Sequence, residues 1–191
     1  IRHLNTTITN SRIRLDANNL WINWRYAADY IKRLGFDFLG VEEPLAHGDF
    51  EGMQKFSNSI NTPVILDESF LRYEHFKHIK SSPKNWLINL RISKMGGVLR
   101  SIEIAKQAEN LGLPLIIGAQ VGETSILSRA ALSIANHYRD LVIAQEGAFG
   151  TYLLEKDITE DPIIFGKDGV LESSSITTNS YGWGINVRTL E

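Results

Sequence analysis

Three segments decide how this chain is read: Arg12-Ile13-Arg14-Leu15-Asp16-Ala17-Asn18, Leu39-Gly40-Val41-Glu42-Glu43-Pro44 and Val64-Ile65-Leu66-Asp67-Glu68-Ser69. In each, an apolar run stops at a carboxylate. Glu42 follows Asp16 by 26 positions and Asp67 follows Glu42 by 25, which is about the length of a strand, a crossover helix and its loops. An acidic group therefore recurs at one structural position.

The period continues beyond the carboxylates. Short apolar runs at Arg12–Leu15, Phe36–Val41, Pro63–Leu66, Trp86–Ile92, Pro114–Ile117 and Leu141–Ala144 are mostly continuous rather than alternating, as in strands covered on both faces. Between them lie helical spacings. Trp24, Ala27, Ala28, Ile31 and Leu34 form one apolar stripe, with Gly35 as its stop. Val98, Ile102, Ala105 and Ala108 form another, and Ser125 to Tyr138 a third with Thr124 as N-cap. Six strand-helix alternations imply a parallel sheet with right-handed crossovers. The regular period favours a closed TIM-type (β/α) barrel over an open sheet. Because eight units take about 250 residues, six units would be a truncated barrel, over residues 1–158. A loop-rich tail follows at 159–191, with a turn at Gly166-Lys167-Asp168-Gly169 and a last strand around Gly184-Ile185-Asn186-Val187.

Composition narrows the class. With 191 residues, 43% apolar and a net charge of −2, the chain can bury a real core and offers no basic stripe for nucleic acid or anionic membrane. It has no cysteine, which excludes disulfides, thiolate metal sites and a thiol nucleophile and is consistent with a cytoplasmic enzyme. No run of 18 apolar residues and no cationic, apolar leader is found. The chain opens at Ile1 rather than Met, so a segment upstream is expected.

Carboxylates at the C-terminal ends of neighbouring parallel strands converge where barrel enzymes build their active sites. Three such charges would repel one another and raise their own pKa values unless a cation held them. Oxygen-only ligation points to a hard divalent ion, Mg2+ above others, with Mn2+ as a substitute. The alternative for any single one is an acidic N-cap of the following helix.

At this point the residues resemble the catalytic barrel of the enolase superfamily, in the muconate lactonizing enzyme and mandelate racemase-like division. The resemblance rests on Arg14-Leu15-Asp16-Ala17-Asn18, Val41-Glu42-Glu43-Pro44-Leu45, Leu66-Asp67-Glu68-Ser69, Ile88 to Gly97 (INLRISKMGG) and Gly118-Ala119-Gln120-Val121-Gly122-Glu123-Thr124, in family order. It implies Mg2+ bound by Asp16, Glu42 and Asp67, with Glu42 rather than Glu43 as ligand and strand alternation turning Glu43 away. The implied chemistry is removal of a proton next to a carboxylate, giving an enediolate that leads to racemisation or epimerisation, elimination or cycloisomerisation. The implied partner is a small carboxylate substrate, and the full-length form is expected to be a homo-oligomer.

Two departures stand against that pattern. Lysine-using members place a base at the end of the sixth barrel strand, where this chain has Arg91. An arginine stays charged and is a poor proton acceptor, but it can hold a carboxylate or oppose developing negative charge. The family's other lysines lie one repeat before Asp16. Residues 1–11 read instead as a helix end and polar loop, so the first two strands and the capping domain are expected to be missing. The chain alone is then expected to be inactive and prone to associate through open sheet edges. The final strand around Val187, which in the family pairs with the capping domain, would lack that partner.

Lys94 and Glu146 complete the candidate catalytic set, each with a plain alternative as a strand-end cation and a loop carboxylate. Glu123 is read as favouring a helix N-terminus, and Asn18 and Glu68 as orienting the ligands. His47 is placed in a loop over the site, and His75 and His78 at the surface. Two other classes remain open. One is a Schiff-base aldolase using Lys94, distinguishable by borohydride trapping. The other is a non-catalytic relative that binds an anion through metal and Arg91.

Overall fold

The computed structural model describes residues 12–147, 150–163, 170 and 182–188. Residues 1–11 and the turn expected at Gly166 to Gly169 lie outside them. Strands β1 (Arg14–Asp16), β2 (Gly40–Glu42), β3 (Val64–Leu66), β4 (Trp86–Leu90), β5 (Leu115–Ile117) and β6 (Val142–Gln145) hydrogen-bond in chain order. They alternate with helices α1 (Trp24–Leu34), α2 (Phe50–Ile60), α3 (Phe76–Ile79), α4 (Ile92–Met95), α5 (Val98–Leu111), α6 (Ser125–His137) and α7 (Gly150–Leu153). This is an α/β fold of parallel strands, six βα units of a TIM-type barrel.

The chain divides into two compact units, 1–89 with 106–115, and 90–105 with 116–191. In the first, β1, β2, β3 and β4 pair in parallel, with Asp16 opposite Glu42 and Leu66 opposite Ile88. Val41, Val64, Ile65, Leu66 and Ile88 are fully buried, each such side chain contributing about 1.5–3 kcal/mol. Gly40 is required by this packing, since a Cβ there would stand 2.8 Å from Ile65 Cγ1. Helix α1 buries Ala27, Ala28 and Ile31 as its spacing predicts. Its cap is Gly35, left-handed at φ 61°, a conformation that glycine adopts without a Cβ penalty. Its first turn is closed by Asn23, whose side chain accepts from the Arg25 N–H at 2.9 Å.

The second unit holds the C-terminal strands. Gly118 N–H donates to Leu90 C=O at 2.9 Å and Glu146 N–H to Ile117 C=O at 2.8 Å. The core here includes Leu90, Ile92, Met95, Ile116, Ile117, Ala130 and Ile134.

Several expectations are corrected. The fourth apolar run leaves the sheet at Leu90, because Ile92 to Met95 close one helical turn ended by left-handed Gly96, φ 85°. A buried strand and a buried helical turn have the same apolar run, so periodicity could not separate them. In α5 the buried positions are Ser101, Ile104, Ala105 and Ala108, while Ile102 is 40% exposed. Ser101 can occupy that face because its hydroxyl donates to Gly97 C=O at 2.9 Å. Thr124 stands before α6 in extended conformation and makes no side-chain cap. The cap comes instead from Asp157, which accepts from Ser125 N–H and Oγ–H at 3.0 and 2.8 Å. Separately from any capping-domain contact, the segment at Val187 bridges antiparallel to Thr159, with Glu160 N–H on Asn186 C=O and Arg188 N–H on Ile158 C=O. Among the described residues, no helix is long and apolar enough to cross a membrane.

Candidate functional site

Asp16 is the last residue of β1 and is exposed. Its Oδ1 accepts from the Asn18 N–H at 2.9 Å, and Asn18 and Asn19 follow in left-handed conformation at φ 48° and 58°. Asn18 thus supports Asp16 through its backbone. Glu42 ends β2 directly opposite Asp16 and is 7% exposed. Asp67 follows β3 and is 2% exposed. All three carboxylates belong to the first unit and stand at the C-terminal ends of consecutive parallel strands.

Two residues fix this arrangement and were not assigned its geometry from sequence. Asn89, fully buried on β4, donates from Nδ2 to Glu42 Oε1 at 2.9 Å. Its Oδ1 is buried without a hydrogen-bond partner, which leaves an amide oxygen unsatisfied beside a candidate ligand. A buried polar side chain inside the apolar run Trp86-Leu87-Ile88-Asn89-Leu90 was the available signal. The other residue is Glu43. Strand alternation was expected to turn it aside, but β2 stops at Glu42 and Glu43 adopts φ 39°, a region uncommon outside glycine. The left-handed kink, rather than the pleat, separates the two side chains. Glu43 is fully buried and accepts from Asp67 N–H at 2.7 Å, Ser69 N–H at 2.8 Å and Ser69 Oγ–H at 2.7 Å. Burial pushes its carboxyl above the ordinary value, and the bonds from Ser69 and Asp67 only partly oppose that.

By donor type and strand position these residues fit a hard divalent ion: three carboxylates on adjacent strand ends, and a buried amide oxygen lacking a partner. Among the described residues, however, no three or more His, Cys, Asp or Glu side chains are gathered at a spacing that holds a metal. Asp16 and Glu42 are brought side by side by register. Asp16 turns one oxygen back to its own loop, and Glu42 gives one to Asn89.

The second unit carries the other candidates. Arg91 follows β4 in extended conformation, half-buried, with Nη1 donating to Gln120 Oε1 at 3.3 Å. Lys94 lies three residues later in α4, also half-buried. Glu146 follows β6, tied to β5 through its backbone N–H. Glu123 accepts from Ser93 Oγ–H at 3.0 Å.

His47, His75 and His78 are packing and loop residues. His78 stacks on Phe50 at 4.4 Å between centroids, and His75 meets Phe70 and Phe50 edge-on. Burial, then Arg72 and His78, hold the His75 imidazole below its ordinary value. His47 Nε2 lies 2.6 Å from Glu68 C=O, so Glu68 meets that loop through its backbone.

Comparison with known proteins agrees with this fold. A family model described as enolase C-terminal domain-like matches residues 1–190. The L-Ala-D/L-Glu epimerase of Francisella tularensis subsp. novicida (strain U112) is 25% identical over 181 residues, 93% of this chain and 48% of that protein. The L-Ala-D/L-Glu epimerase of Bacillus subtilis (strain 168) is 29% identical over 133 residues, 68% of this chain and 36% of that protein. The solved dipeptide epimerase from Enterococcus faecalis V583 superposes with a TM-score of 0.74 at 26% identity, over 84% of this chain and 46% of that one. This chain spans about half or less of the length of these relatives.

Proposed function

The chain belongs to the enolase C-terminal domain-like family, and from that membership we propose that the protein is a lyase or isomerase that removes the proton next to a substrate carboxylate. Asp16, Glu42 and Asp67 would hold Mg2+. The observation that carries this reading is the recurrence of a carboxylate at the ends of β1, β2 and β3, with Asp16 and Glu42 in register. Mg2+, when bound, supplies positive charge against the negative charge that grows on the carboxylate as the α-proton leaves.

The protein's own groups do the rest. Asn89 holds Glu42 by its Nδ2 and keeps that carboxylate from swinging. Arg91, the residue at the lysine position of the family, carries a guanidinium, a poor proton acceptor. It serves as a fixed cation for a substrate carboxylate rather than as the proton acceptor. Lys94 and Glu146 are the titratable groups of the second unit assigned to proton transfer or substrate contact. Dipeptides are the first substrate class to try, because the relatives above are named as dipeptide or L-Ala-D/L-Glu epimerases.

A second reading is favoured by Arg91 specifically: a relative that binds a carboxylate through metal and Arg91 without chemistry. One experiment separates the two. The complete protein is incubated with Mg2+ and a panel of dipeptides and other α-proton carboxylates in D2O, and loss of the α-proton signal is followed by NMR. Exchange that disappears in Asp67→Asn supports the enzyme. Binding of a panel member without exchange supports the binder.

A further inference from the structure

We propose that Glu43 is a positioning residue that ties the backbone behind all three carboxylates together and so sets the shape of the metal site; this rests on the metal reading above. Each of its polar groups is used on a different segment. The Glu43 C=O accepts from Asn19 N–H at 2.7 Å, in the turn that follows Asp16. Its N–H donates to Ile65 C=O at 3.1 Å on β3. Its carboxylate takes the Asp67 N–H, the Ser69 N–H and the Ser69 hydroxyl. Ser69 Oγ in turn accepts from Gly48 N–H at 3.0 Å, which extends the tie to the loop after β2.

A glutamate at φ 39° sits in a conformation that costs free energy, and it persists only where the surroundings over-determine it. Here the surroundings are donors on segments remote in sequence, and the kink is what allows adjacent residues to serve two ends: Glu42 in register with Asp16, and Glu43 on the Asp67 backbone. An aliphatic side chain at 43 would leave two buried N–H groups with no acceptor. A glutamine retains an acceptor for both, and its amide reverses the contact with Ser69 Oγ.

The test uses this chain, Glu43→Ala and Glu43→Gln, with two readouts. The first is amide hydrogen exchange of the metal-free chain, followed on peptides covering 64–70, with α5 as reference. Glu43→Ala is expected to speed exchange at Asp67 and Ser69 by roughly tenfold or more, with the reference within about twofold, and Glu43→Gln to stay near wild type. The second is Mn2+ titration, where Glu43→Ala should weaken binding by about 10- to 100-fold and Glu43→Gln by no more than about threefold. Unchanged local exchange in Glu43→Ala overturns the proposal. Faster exchange with unchanged Mn2+ affinity also overturns it, because Glu43 would then be structural only. If Glu43→Ala does not fold, Glu43→Asp, which keeps the charge and loses the reach, is read by the same two criteria. A wild-type chain that binds no Mn2+ overturns the metal reading, and exchange at Asp67 and Ser69 still decides whether Glu43 orders that segment.

Discussion

Glu43 and Asp157 collect the same kinds of donor, and their carboxyls respond in opposite directions. Each accepts backbone N–H and hydroxyl groups: Glu43 from the sequence-remote Asp67 and Ser69, and Asp157 from the remote Ser125 and from Thr159 two residues on. At Glu43, fully buried, burial dominates and the carboxyl rises. At Asp157 burial also raises it, but four bonds from Thr159 and Ser125, in a more open setting, together win and hold it below its ordinary value. Hydrogen bonds alone therefore do not set the direction of the shift. Access to water decides whether they are enough. The same difference predicts what each residue contributes: Glu43 is costly to remove because nothing replaces it, whereas water can partly replace Asp157.

The largest expected effect follows from that. Glu43→Leu strips acceptors from two buried N–H groups and the Ser69 hydroxyl, and should cost at least about 3 kcal/mol in urea denaturation. A loss under about 1 kcal/mol would mean that solvent reaches the cradle, and the contrast between the two sites would fail. Asp157→Ala should cost about 1 kcal/mol, the usual worth of a helix N-cap. Its loss should also release the Ile163 N–H, which donates to the Ser125 hydroxyl that Asp157 orients.

Acid sharpens the comparison further. The folded Asp157 carboxyl titrates below its ordinary value of 3.8, so below that value the unfolded chain binds the proton that the folded chain refuses. Its contribution is complete above pH 3.8 and is lost as pH falls through the lower folded value. Comparing acid unfolding of wild type and Asp157→Asn should show the wild-type advantage shrinking across that window. An advantage that grows on acidification would reverse the assigned direction. The smallest effect is expected at Thr124→Ala, under about 0.5 kcal/mol, because its side chain makes no cap bond. A cost equal to that of Asp157→Ala would restore Thr124 as the cap.

What could be read from the chain follows the range of the interactions. The period of about 25 residues placed β1, and continuous apolar runs ending in Glu42 and Asp67 were enough to place β2 and β3, because a strand covered on both faces leaves that pattern locally. The stripe of α1 and its Gly35 stop were legible for the same reason. Glu43 was not, since its kink is imposed by donors at Asn19, Asp67 and Ser69, and no local residue announces a left-handed glutamate. The cap of α6 comes from a carboxylate 32 positions away, and Val187 finds Thr159 across the tail. Ile92 was misassigned to a strand because a buried helical turn is as apolar as the strand it follows. The candidate ligands were legible as residue types, while the groups that hold them, Asn89 and Glu43, required the fold.

If the carboxylates ending β1, β2 and β3 act together on a divalent ion, calorimetric titration of Mg2+ and Mn2+ into this chain and into Asp67→Asn, with circular dichroism confirming that both are folded, should show it. Saturable binding of one ion is expected for the wild-type chain and its loss in Asp67→Asn. Equal binding by both folded chains, or none by either, would mean that the three carboxylates do not form a metal site.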